Sequence, residues 1–110
     1  MSSTLTEGVA ENIVETIRAW GLPYVAAGVG NIGGLYVQGT VSLDSKGAWS
    51  NGILENSRYL KFIINEDASG FEFRVASGYR IPKIRAARKL DKAGLYRKLA
   101  AVQKALQAEV

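Results

Sequence analysis

Between residues 35 and 75 apolar and polar side chains alternate in short runs, and turns separate each run from the next. Leu35, Val37, Val41 and Leu43 alternate with Tyr36, Gln38, Thr40 and Ser42. Leu60, Phe62 and Ile64 mark one face of a run over 59–65, and Phe71, Phe73 and Val75 alternate with Glu72 and Arg74. A period of two is the pattern of strands with one buried face. The connections read as turns: Asp44-Ser45-Lys46-Gly47, Glu55 to Arg58, and Glu66 to Gly70. Parallel neighbours need a crossover of a dozen or more residues, so short turns constrain the chain to an antiparallel meander. Residues 24–29 read as its first strand, and a further strand is expected over 48–54. One sheet face is apolar and needs a cover; the other is partly wet.

Both chain ends offer that cover. Val9, Ile13, Ile17 and Trp20 recur at helical spacing on one face. Thr4 and Glu7 have the spacing of a capping box, and Thr6 is an alternative cap. Gly21 and Pro23 end this helix. Near the C-terminus Leu95, Leu99, Val102 and Leu106 form the clearest helical stripe of the chain. Pro82 suits the first turn of a helix, and residues 83–90 read as helical. Asp91 and Gly94 mark a kink, with Asp91 able to cap a second segment. The expected fold is α+β: an N-terminal helix, an antiparallel four- to five-stranded meander and a basic C-terminal helix. It forms one domain over 1–110, with 1–5 a loose lead-in and 80–110 a basic helical segment. The leucine stripe could also pair between subunits, giving a homodimer through the C-terminal helix.

Composition removes much chemistry. The 110 residues include no Cys and no His. Disulfides, thiolate catalysis and cysteine-ligated zinc are excluded, and the commonest general base and metal ligand is missing. Glu66 and Asp67 are adjacent in a predicted turn, while Glu55 and Glu72 have no partner assignable from sequence. No GxSxG or Walker A pattern occurs. The expectation is a non-enzymatic protein with no catalytic residue, metal or cofactor. No apolar run approaches the roughly 20 residues of a membrane span, and MSSTLTEG lacks the basic start and apolar core of a secretory leader. A cytoplasmic protein away from membranes is expected. Gly28, Gly30 and Gly33 match GxGxxG, which needs a helix N-terminus to receive phosphate. The residues after it, GLYVQGTVSL, alternate like a strand. With Asn31 and Gly34, the motif reads as a glycine-rich hairpin, whose amides can still cradle an anion.

Charge then carries the functional reading. Residues 1–79 hold five basic and eight acidic side chains, a net of −3. Residues 80–110 hold nine basic and two acidic ones, a net of +7. Such segregation sets a local potential. The cations are Arg80, Lys83, Arg85, Arg88, Lys89, Lys92, Arg97, Lys98 and Lys104. On a helix over 83–92, Arg85, Arg88, Lys89 and Lys92 share one face, an array suited to phosphates. The alternatives are a solvated face, or one paired with Glu7, Glu11 and Glu15. Tyr36, Tyr59, Lys61 and Arg74 fall on the polar sheet face. Single-strand binders stack bases on such rings and meet phosphates with such cations, although Tyr is also simply a good strand residue. The expected function is nucleic-acid binding, with single strands favoured. The alternative is an accessory, phage-type module that binds an acidic protein or surface through the same basic helix.

The order of strands followed by a final helix resembles small β-sheet single-strand binders of the positive-cofactor-four and Whirly kind. That likeness is one of layout and carries over no residue's role. The segment LYRKLAAVQKALQA, Leu95 to Ala108, is similar to the opening helix of phage annealing proteins of the essential-recombination-function family.

Overall fold

A computed structural model of the chain describes residues 5–44 and 57–110. Helix α1 spans Glu7–Arg18. Of the two expected caps, Thr6 is the one observed: its hydroxyl accepts the Val9 N–H at 3.2 Å, satisfying a donor that a helix start leaves open. Its buried face is Ala10, Ile13, Val14 and Ile17, and Trp20 follows just beyond the helix end.

Five strands follow: β1 (Tyr24–Asn31), β2 (Leu35–Ser42), β3 (Tyr59–Asp67), β4 (Gly70–Tyr79) and β5 (Ala87–Leu90). They form one antiparallel sheet in sequence order, the meander that short turns require. Helix α2, Lys92–Gln107, closes the chain. The arrangement is α+β, as expected. The expected strand over 48–54 lies outside the described residues.

The core lies between one sheet face and the two helices. Val37, Val41, Leu60, Phe62, Ile64 and Phe73 are almost wholly buried, as are the α2 residues Leu95, Leu99, Val102 and Leu106. Phe62 stacks on Trp20 at 5.8 Å and on Phe73 at 5.2 Å between ring centroids. Each large side chain so buried contributes about 1.5–3 kcal/mol. The leucine stripe is thus buried in the chain's own core. Polar bonds fix the helices to one another: Tyr96 donates to Asn12 Oδ1 at 2.6 Å, and Gln103 and Gln107 both donate to the Trp20 carbonyl. Arg58 ties three regions together. Its backbone N–H and guanidinium donate to the Asp44 carboxylate, and the guanidinium also reaches the Glu109 carbonyl. The backbone bond from Arg58, aided by its side chain, holds the Asp44 carboxyl below its ordinary value.

The C-terminal segment departs from the sequence expectation. Residues 83–90 are not helical: 80–86 form an irregular connection, and 87–90 are β5. The reasons are local and non-local. Proline disfavours helical geometry at Ile81 before it, and four like charges on one helix face repel. The decisive term is β4, whose outer backbone groups need partners; β5 supplies them through the pairs Phe73↔Ala87 and Phe71↔Leu90. Asp91 is no kink but a true start, its carboxylate accepting the Gly94 N–H at 2.7 Å.

Candidate nucleic-acid interface

The sheet face away from the helices is defined by register. One row across it is Tyr24, Ser42, Tyr59 and Tyr79. The next is Ala26, Thr40, Lys61 and Ser77, then Gly28, Gln38, Ile63 and Arg74, then Gly30, Tyr36, Asn65 and Glu72. Tyr36, Tyr59, Lys61 and Arg74 thus share one face, as their alternation implied, and none of the four is buried.

They do not form one cluster. Tyr36 and Tyr59 lie three rows apart, about 20 Å at the rise of a strand. Tyr36 paves the β1 end of its row, where Gly30 opposite has no side chain and leaves the space its ring fills. Such aromatic cover over a strand glycine restores packing that the glycine lacks. At the other end Tyr59 stacks on Tyr79, centroids 6.2 Å apart with planes 22° from parallel. Arg80 then places its guanidinium 5.1 Å from the Tyr79 centroid, within cation–π range. A pair of rings with a cation over one of them is a surface on which a flat, anionic polymer can stack and be held.

Tyr79 was missed in the sequence. A bulge between Lys61 and Phe62 and their β4 partners inserts Ala76 into β4. Simple alternation from Glu72 and Arg74 would put Ala76 and Gly78 on the open face; the extra residue puts Ser77 and Tyr79 there instead.

The remaining basic residues follow β4 in the chain. Arg80, Lys83 and Arg85 are exposed on the connection from Tyr79 to Ala87, beside β4. Arg88 and Lys89 stand on β5, and Lys92 opens α2. Arg85, Arg88, Lys89 and Lys92 therefore share no helix face, contrary to the sequence expectation. Arg88 sits near two acids, 3.8 Å from Asp67 Oδ2 and 3.8 Å from Glu72 Oε2. It is 69% exposed, so these long pairs are screened and contribute little, but they lower its call on phosphate. Among the described residues the ion pairs are these and Arg58–Asp44, so the α1 glutamates do not neutralise the basic segment. Along the face the rings of Tyr59 and Tyr79 and the cation of Lys61 lie toward one end, and Arg74 lies with Glu72 and Asp67 toward the Tyr36 end.

Gly28, Gly30 and Gly33 belong to the β1–β2 hairpin, as read, with Gly33 and Gly34 at positive φ in its turn. Among the described residues no group of three or more acidic side chains is placed to hold a metal ion. Among the described residues no helix is long and apolar enough to cross a membrane. Comparison of the chain with protein-family models, curated proteins and solved structures returned no match. Neither layout nor helix resemblance gains support from it, and function must be read from the face itself.

Proposed function

We propose that this protein is a non-enzymatic binder of single-stranded nucleic acid that uses the Tyr59 end of its open sheet face. The observation that carries the reading is the stacked pair Tyr59–Tyr79 under Arg80, with Lys61 in the adjacent row and Arg74 one row further along the face. Bases would stack on the rings, and Lys61, Arg74, Arg80, Lys83 and Arg85 would meet phosphates. The carboxylates of Glu72 and Asp67 disfavour phosphate at the far end, so Tyr36 becomes a secondary contact. Arg88, Lys89 and Lys92 add to the potential from outside the face.

Fluorescence anisotropy with labelled single- and double-stranded oligonucleotides at low and moderate salt tests this. Single strands should bind more tightly than duplex, and affinity should fall steeply with salt as counterions are released. Tyr79→Ala should cost about 1–3 kcal/mol, the worth of one stacked base. Lys61→Glu should weaken binding and flatten the salt dependence. Absence of binding at low salt would overturn the proposal. Capture of an acidic protein that survives nuclease treatment would instead assign the same cations to a protein partner.

A further inference from the structure

The two outer strands of the sheet differ in a way that points to a second copy of the chain. Strand β1 has the sequence YVAAGVGN, eight residues without a charge or a proline. Its register with β2 is continuous, and among the described residues β2 is its one strand partner. A long, regular, uncharged edge presents a row of backbone donors and acceptors that templates another strand. We propose that β1 pairs antiparallel with β1 of a second copy, joining two five-stranded sheets into one ten-stranded sheet about a two-fold axis.

The charges beside this edge favour a second copy over an unrelated strand. Helix α1 lies against β1 and carries opposite charges in its own first and last turns. Glu7 and Glu11 flank a shallow groove with Val29, Asn31 and Leu35. Arg18, in the last turn of the helix, reaches the middle of the strand and donates to the Ala27 carbonyl at 2.9 Å. With the two-fold axis at Val29, Ala27 of each copy faces Asn31 of the other, and Arg18 of each copy is brought toward Glu7 and Glu11 of the other. The edge itself adds no repulsion, and Val29, 43% exposed in the single chain, gains cover. Arg18 occupies one lone pair of the Ala27 carbonyl and leaves the other for an incoming N–H. Such pairing is closed, since each copy has one β1 and the dimer consumes both. Because the axis is perpendicular to the sheet, the two open faces lie side by side. The inference rests on the edge and its charges, not on nucleic-acid binding.

Sedimentation velocity over a series of protein concentrations, without nucleic acid, tests it. The expected result is a monomer–dimer equilibrium that stops at the dimer. Glu11→Arg changes an exposed helix residue and should leave the fold intact by circular dichroism. It should weaken the dimer by about tenfold or more, since like charges at an interface repel. Adding Arg18→Glu to it should restore association. Hydrogen exchange at the β1 amides should slow as concentration rises. A monomer at every concentration, growth beyond the dimer, or a dimer indifferent to Glu11→Arg with unchanged β1 exchange would each overturn the proposal. None of these outcomes depends on whether oligonucleotides bind.

Discussion

At one edge of the sheet β5 runs for four residues, carries Arg88 and Lys89, and is irregular in its pairing with β4. Lys89 holds a φ of 57°, a left-handed conformation that lysine adopts at a cost. At the other edge β1 runs for eight residues, uncharged and in regular register, with Arg18 donating to its Ala27 carbonyl. Shortness, charge and a bulge are the devices by which a sheet edge is kept from pairing with other chains. One edge has all three; the other has a single guanidinium. The contrast teaches that protection here is placed, not general. Left-handed backbone occurs at both ends of the segment that follows β4, at Arg80 with a φ of 51° and at Lys89 within β5.

The largest effect should come from breaking the docking of β5. Gly70 has a φ of 142°, and a Cβ there would sit 2.6 Å from the Leu90 carbonyl oxygen. No L side chain relieves both problems. Gly70→Ala should cost about 3 kcal/mol, lowering Tm by on the order of 15 °C. Thermal unfolding measures this, and exchange at the β5 amides should rise with it. An unchanged Tm would mean that β5 is not docked as described. A smaller effect tests the bulge. Lys89→Val puts a β-branched residue at positive φ and should destabilise by about 1–2 kcal/mol in chemical denaturation. Lys89→Gly should be neutral within about 0.5 kcal/mol, because relief of strain offsets the freer unfolded chain. Equal effects of the two variants would show that charge, not backbone conformation, matters at this position.

The same contrast separates what the sequence could reveal from what it could not. Strands β1 to β4 were readable because a period of two is local and the β1–β2 and β3–β4 turns carried their own glycines; the turns expected at 44–47 and 55–58 fall largely outside the described residues. The open-face positions of Tyr36, Tyr59, Lys61 and Arg74 followed from that period alone. Tyr79 did not, since the inserted Ala76 reverses the alternation and leaves no mark in composition. Strand β5 was hidden for a different reason. Ile81, Ile84, Ala87 and Leu90 recur every third residue, a spacing that a helix and an irregular extended chain both satisfy. What decides between them is the unpaired margin of β4, far away in sequence. Asp91 was legible as a helix cap because capping is again local. The pairing of Arg88 with Asp67 and Glu72 depends on β5 docking and was beyond reach of any pattern.

The smallest expected effect concerns the link between the two sides of the molecule. Helix α1 covers the β1 side and α2 the β4–β5 side, and the Tyr96 hydroxyl joins them by donating to Asn12. Tyr96→Phe keeps the ring and removes the bond, so it should cost about 1 kcal/mol. Burial raises the Tyr96 phenol above its ordinary value of 10.0, a nearby Thr16 contact opposing in part. The folded chain therefore keeps this proton at a pH where the unfolded chain has begun to lose it. The stability so contributed is complete below about pH 10 and is lost as pH rises through the folded value. Denaturation of the two proteins near neutral and at strongly alkaline pH should show a gap that narrows at high pH. A gap that stays constant would mean that the bond donated to Asn12 is not what separates the two proteins, and that Tyr96 joins the helices through its ring alone.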